Sequence, residues 1–231
     1  MDIKNNSKNT LDTNFKDIVK ILSKNKISYW LCHGTLLGII RDKKLIPWDI
    51  DIDIAIWNTN GIRTKIKKIM LKNNFFLNKK YYSGDGFLTF TRPGGRAVDF
   101  NFYEKKIYNN EIFGVIRFLE PRNTLCKFVE ACAASKKYSG RYKNLVRLFA
   151  PIDFIFIFIK KIMIEKNYFY LVKGYKQPIS LLSKFKKIKA LSSSMWVPYY
   201  SKKCLEFIYG KDWSKPDKQY DHRTKISWID V

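Results

Sequence analysis

Residues Asp49 to Trp57 read D-I-D-I-D-I-A-I-W, and this is where the chain most plainly offers metal chemistry. The strict alternation predicts a β-strand with Ile50, Ile52, Ile54 and Ile56 on one face and Asp49, Asp51 and Asp53 on the other. Alternate strand residues lie roughly 6.5–7 Å apart, so Asp51 and Asp53 can converge on one ion at the strand end. Carboxylate oxygens alone suit a hard divalent cation, Mg²⁺ or Mn²⁺, better than zinc. An EF-hand is excluded, because Ile54 stands where its glycine belongs and Asn60 where its bidentate Glu belongs. A solvent-facing strand would show the same alternation, but three like charges on one face repel unless a cation lies among them. Asp99 belongs to a second alternating run, A-V-D-F-N-F-Y, with Val98, Phe100 and Phe102 turned to the core. If the two strands are neighbours, Asp99 lies across from the pair.

A second chemical feature precedes the acids. His33-Gly34-Thr35-Leu36-Leu37-Gly38-Ile39-Ile40-Arg41 reads as a strand-to-helix junction, where free backbone N–H groups and the helix dipole attract anions. Gly34 lets a phosphate approach the backbone, Thr35 adds a hydroxyl, and Arg41 can clamp a further oxygen. No Walker or Rossmann glycine pattern is present, and G-D-G at 84–86 reads as a turn. His33 and His222 stand alone, with no Ser, Cys or Glu beside them that suggests a relay. Cys32, Cys126, Cys132 and Cys204 form no C-x-x-C pair, which argues against a zinc site or disulfide framework and fits small buried hydrophobes.

The elements that must position these residues follow from periodicity. Leu11, Phe15, Ile18 and Leu22 predict an amphipathic helix over 10–26, followed by a strand from Ile27 to Cys32 and a short helix from Thr35 to Arg41. A basic helix is expected over Asn58–Asn74, then strands at Phe75–Tyr82, Phe87–Thr91, Ala97–Tyr103 and Ile112–Leu119, with Lys105–Glu111 as a polar connector. Beyond Pro121 the pattern reads as mainly helical to about Lys173. Ser201 is expected to cap a last helix closed by Gly210. Without repeats or a linker, the chain reads as one domain over 1–231, with a catalytic core at about 28–120 and a helical part at about 121–231.

The chain has 231 residues, 46% hydrophobic and 16% aromatic, enough for a packed core and incompatible with wholesale disorder. Lys and Arg number 44 against 20 acids, a net charge of +24 that attracts anions. Only nine of those cations are Arg, amid much Asn and Ile, so an AT-rich coding composition accounts for the charge as readily as function does. Nucleic acid is disfavoured as a partner because no RRM, KH, zinc or helix-turn-helix signature appears. The apolar run Phe154–Ile159 is too short to span a bilayer, and the stretch around it reads as a buried helix or one lying at a membrane surface.

The run W-L-C-H-G-T-L-L-G-I-I-R-D-K-K-L-I-P-W-D-I-D-I-D-I, Trp30 to Ile54, closely resembles the signature of the LicD/fukutin family of phosphotransferases. Trp196 to Pro216, with its Y-G-K-D-W-S-K-P ending, looks like that family's closing block, whereas nothing between about 120 and 195 aligns. The resemblance implies an α+β nucleotidyltransferase-like fold: a mixed β-sheet core with flanking helices and a mainly helical C-terminal half. It implies transfer of phosphocholine or an alditol phosphate such as ribitol phosphate from a CDP-linked donor to a hydroxyl of a glycan or lipid-linked glycan, with release of CMP. Carried over by position, Asp51 and Asp53 bind Mg²⁺ or Mn²⁺, Asp99 is the third carboxylate, and Gly34, Thr35 and Arg41 hold the donor diphosphate. Asp49 matches a more variable leading acid, and Trp48 shapes the loop. Two rivals stay open: a nucleotidyltransferase adding NMP to a small acceptor, and a non-enzymatic module binding nucleic acid or membrane. With no anchor in the sequence, the expected location is the cytoplasm with peripheral membrane contact.

Overall fold

Two parallel strands whose apolar residues alternate form the centre of the molecule. The computed structural model describes residues 12–78, 86–138, 140–166, 170–218 and 228–230. In chain order the elements are α1 (Thr13–Lys24), β1 (Trp30–Leu31), α2 (His33–Asp42), β2 (Asp51–Trp57), α3 (Ile62–Lys72), β3 (Phe76–Leu77), β4 (Phe87–Thr91) and β5 (Ala97–Tyr108). They continue with β6 (Glu111–Pro121), α4 (Thr124–Ala133), α5 (Lys143–Arg147), α6 (Asp153–Glu165), β7 (Tyr170–Pro178), β8 (Phe185–Ala190), β9 (Ser193–Pro198), α7 (Ser201–Tyr209) and β10 (Trp228–Asp230). The start of the helix expected over 10–26, the end of the strand expected at Phe75–Tyr82, most of the turn at 84–86 and His222 lie outside the described residues.

The mixed α+β architecture is the one expected. β2 and β5 run parallel in register, with Ile52 beside Val98, Asp53 beside Asp99 and Ile54 beside Phe100. β1 adds antiparallel to the other edge of β2, while β4 pairs with the first half of β5 and carries β3 beyond it. Ile52, Ile54, Ile56, Val98, Phe100 and Phe102 are all buried, as alternation requires. Ile50, expected with them, is 80% exposed because the strand begins only at Asp51. The second half of β5 leaves this group and pairs with β6, which pairs with β7 and then β10.

Three further expectations are corrected. Lys105–Glu111 is a hairpin rather than a connector: β5 runs to Tyr108, and Asn109 and Asn110 turn it with φ of 49° and 61°. Asparagine tolerates that left-handed turn, and a ribbon with solvent on one side accepts Lys and Glu in its strands. The C-terminal part is helical through α6 and then becomes β7, β8 and β9. Lysines dilute the alternation there, yet Met195 and Val197 are fully buried with Trp196 between them. Tyr200, not Ser201, precedes α7; the Ser201 hydroxyl donates back to the Pro198 carbonyl, and Gly210 ends the helix with φ of 86°.

One hydrophobic cluster joins Phe15 and Leu22 of α1, Leu36 of α2, Ile52 of β2 and Phe100 of β5 to Met195, Val197, Cys204 and Leu205. The C-terminal hairpin and α7 are thereby fixed against the sheet that carries the acids. Among the described residues, no helix is long and apolar enough to cross a membrane.

α1 is locked to the turn that launches β5. Asn14 is fully buried, and its amide donates to the carbonyls of Arg92 and Arg96 at 3.0 and 2.9 Å while accepting from Arg92 Nε at 2.9 Å. Arg92 also reaches Asp17 at 2.6 Å. Asn14→Ala strands these buried groups and is expected to cost about 2 kcal/mol, a fall of roughly 4–8 °C in Tm. Scanning calorimetry that found an unchanged Tm would refute this account of the clamp.

Candidate active site

The first turn of α2 is built to lie against the acids. The buried Thr35 hydroxyl accepts the Asp53 N–H at 2.8 Å, tying the helix to β2. Gly34 sits directly under the carboxylates: a Cβ there would collide with Asp49 Oδ2 and lie 3.6 Å from Asp53 Oδ2. A Cβ at Gly38 would meet the Lys44 carbonyl at 2.6 Å and Ile46 N at 3.0 Å. The two glycines of G-T-L-L-G therefore let the helix approach the acid cluster at one point and its own returning loop at the other.

Asp49, Asp51 and Asp53 each present an oxygen, and the three oxygens lie within 4.8 Å of one another. Asp99 lies beside Asp53 on the neighbouring strand, and its Oδ1 is buried without a hydrogen-bond partner. The Asn101 amide is 3.5 Å from Asp53 Oδ1. Burial, followed by hydrogen bonding to Asp49 and the charges of Asp49 and Asp99, raises Asp51 to about 7. Burial, reinforced by the charges of Asp51, Asp99 and Asp49, holds Asp53 well above the usual carboxylate range. Burial is the chief cause that raises Asp99; the Thr89 hydroxyl opposes it, and the charge of Asp49 adds to it. A half-buried set of acid oxygens with one orphaned atom and a glycine cradle beside it fits a hard divalent cation. The arrangement promotes Asp49, which the sequence reading ranked below Asp51 and Asp53, into the cluster itself.

These acids line a cleft of about 1470 Å³, which also includes Gly34, Arg41 and Trp48. Thr35 is not part of the lining, because its side chain is spent on β2. Arg41 does reach the cleft, but its guanidinium forks onto Asp42 at 3.0 and 2.8 Å, so any grip on a phosphate is shared with that carboxylate. His33, read as isolated, lies on the wall with its ring 4.9 Å from Tyr175. The basic wall was missed at the sequence level: Lys211, Lys215 and Lys218 follow α7, with the Lys218 ammonium 5.1 Å from the Trp48 ring. The signal for it was the closing block ending Y-G-K-D-W-S-K-P, which marks the segment without showing that it folds back over the acids.

Two predictions follow from the acid cluster. Because Asp51 and Asp53 hold protons more tightly folded than unfolded, the metal-free protein loses stability as pH rises from about 4 toward 7, the span between the ordinary carboxylate value of 3.8 and the raised value of about 7. Mn²⁺ should reverse this above pH 7; a Tm in EDTA that climbs steadily over that interval would contradict the coupling. Gly34→Ala pushes the Asp49 carboxylate aside and is expected to weaken Mn²⁺ binding by about tenfold or more, within the range for disturbed ligand positioning. Isothermal titration reads that change directly, and unaltered affinity would show that the cradle is not needed.

Residues 26–127, from the approach to β1 through the start of α4, match the LicD/FKTN/FKRP nucleotidyltransferase domain. An uncharacterized protein of Rickettsia prowazekii (strain Madrid E) is 47% identical over 47 residues, 20% of this chain and 18% of that one. Its counterpart in Rickettsia typhi (strain ATCC VR-144 / Wilmington) is also 47% identical over 47 residues, 20% of this chain and 15% of that protein. Ribitol 5-phosphate transferase FKRP of Homo sapiens is 32% identical over 75 residues, 30% of this chain and 15% of that protein. The matches thus span less than a fifth of these relatives' lengths. The matched segment contains Gly34, Asp49, Asp51, Asp53 and Asp99 together, so the acids that converge at the cleft all fall within the stretch that is similar to that family.

Proposed function

We propose that the chain is a metal-dependent phosphotransferase that moves phosphocholine or an alditol phosphate from a CDP-activated donor to a glycan hydroxyl and releases CMP. The observation that carries this reading is the convergence of Asp49, Asp51 and Asp53 beside Asp99, at the bottom of a cleft walled by Lys211, Lys215 and Lys218. The family match and the similarity to a ribitol 5-phosphate transferase support it.

Asp51 and Asp53 would hold Mg²⁺ or Mn²⁺, with Asp49 and Asp99 adjoining. Once bound, the metal neutralises charge on the donor's diphosphate oxygens and on the departing phosphate. Gly34 leaves room for that diphosphate at the start of α2. Lys211, Lys215 and Lys218 draw the anionic donor toward the acids, and Arg41 supports the same wall. In the transfer the acceptor oxygen bonds to the phosphorus of the carried group, and the bond from that phosphorus to the oxygen of CMP breaks. Asp99, raised by burial and carrying an orphaned oxygen, takes the hydroxyl proton.

The domain's family description also favours a second reading, in which NMP is retained on a small acceptor and pyrophosphate leaves. The product distinguishes the two. Incubation with Mn²⁺, CDP-choline or CDP-ribitol and a glycan acceptor should release CMP; pyrophosphate from a nucleoside triphosphate would favour the second reading. Asp53→Asn should cut turnover by at least about a thousandfold while leaving the metal-free Tm equal or higher, because it relieves repulsion. Retention of full metal-dependent CMP release would remove Asp53 from the site.

A further inference from the structure

The helical segment after β6 turns its apolar side chains outward. On α6, Phe154, Ile157 and Phe158 are 64%, 47% and 62% exposed, whereas Lys160 is 5% exposed with its ammonium 3.0 Å from Glu130 of α4. α5 and its last turn extend the face with Leu145 and Leu148, 59% and 72% exposed. Phe128 of α4 meets Phe149 and Phe156 edge-on at 5.7 and 6.0 Å, joining the helices into one platform. Joined apolar groups of this kind mark a docking surface, unlike scattered exposed side chains.

Charge identifies what covers the surface. Residues 121–166 contain ten Lys or Arg and three acids. All three acids are engaged inside the segment: Glu130 by Lys160, Asp153 by Lys136 and Glu165 by Lys161. Arg141, Lys143, Arg147 and Lys166 are exposed around the apolar side chains. An apolar face with a cationic rim complements an anionic lipid surface, where acyl chains lie below a layer of phosphates. A second copy of the chain would instead set one cationic rim against another in a protein of net charge +24. α6 has 13 residues, about 20 Å of helix, against a hydrocarbon core of about 30 Å; it can lie in the interface but cannot cross it.

We propose that α4–α6 form a docking platform that seats on an anionic bilayer, with α6 in the plane of the interface. Phe154, Phe158, Leu145 and Leu148 enter the acyl region, and Arg141, Lys143 and Arg147 engage headgroup phosphates. α4 belongs to both surfaces, since its Glu130 and Ala131 line the cleft. Docking therefore brings the cleft within about one helix diameter, ~10 Å, of the headgroups.

Vesicle co-sedimentation of the full chain tests this without any nucleotide, so its outcome is independent of the phosphotransferase reading. Binding is expected to vesicles of phosphatidylcholine mixed with phosphatidylglycerol, with little to phosphatidylcholine alone and release at high salt. Lys143→Glu combined with Arg147→Glu should weaken binding at least about tenfold, because each basic residue near an anionic surface contributes a factor of about five. Phe154→Ser combined with Phe158→Ser should do the same with Tm unchanged; if that pair lowers Tm, the charge pair decides alone. The proposal is overturned if the unmodified chain fails to bind, or if the charge pair binds as well as it does. It is equally overturned if sedimentation velocity shows a dimer that the phenylalanine pair dissociates while vesicle binding is absent.

Discussion

Asp49, Asp51 and Asp53 are confined within 4.8 Å of one another, with Asp99 beside them on the next strand, and their mutual repulsion is the constraint around which the rest is arranged. Among the described residues, no ion pair reaches any of the four. Such a set persists only if packing elsewhere offsets its cost and if protons or a cation relieve it. Raised pKa values for Asp51, Asp53 and Asp99 express the first kind of relief.

Packing supplies the offset on the same strand. Past Asp53, the acid-bearing face of β2 continues with the buried Ala55 and then Trp57. There Trp30 meets Trp57 and Tyr103 at 5.2 Å each and Phe185 at 4.9 Å. One side of the strand thus changes from acid site to aromatic core within two residues. Each buried aromatic contributes through its large apolar area and favourable ring geometry. On the opposite side, Ile52, Ile54 and Ile56 are buried without a break. The strained half of β2 is held by the unstrained half, and the hydrogen bond from Asp53 N–H to Thr35 fixes α2 at the boundary.

What could be read in the sequence was what is encoded locally. A two-residue period identified β2 and the face of β5, and the spacing from Gly34 to Asp53 contained the whole of the helix, loop and strand that approach the acids. Asp99 was legible only on the condition that β2 and β5 are neighbours, because register is a long-range property. The same limit hid the basic wall: Lys211, Lys215 and Lys218 reach the cleft because Cys204 and Leu205 of α7 bury themselves in the core. Lysine-rich β8 and the Asn109-Asn110 hairpin misled for another reason. Their strands are partly solvated where they carry Lys and Glu, so few apolar residues are needed there and the period is faint. Thr35 shows the converse error, in which a hydroxyl suited to phosphate is committed to the backbone of the adjoining strand.

The chain as a whole carries +24, yet among the described residues the cleft is lined by seven carboxylates and five Lys or Arg. Glu130 and Asp212 are matched by Lys160 and Lys215, and four of the remaining five carboxylates, Asp49, Asp51, Asp53 and Asp99, lie on β2, β5 and the loop before β2. A distant anion is therefore attracted by the protein's overall field and repelled at the floor of its cleft. The two effects act together only when a cation occupies the floor, because its charge offsets that of the acids and the floor no longer opposes the lysine wall. On the proposed reading, the scarce acids rather than the abundant lysines decide whether a diphosphate can enter, because they set the potential at the point of closest approach.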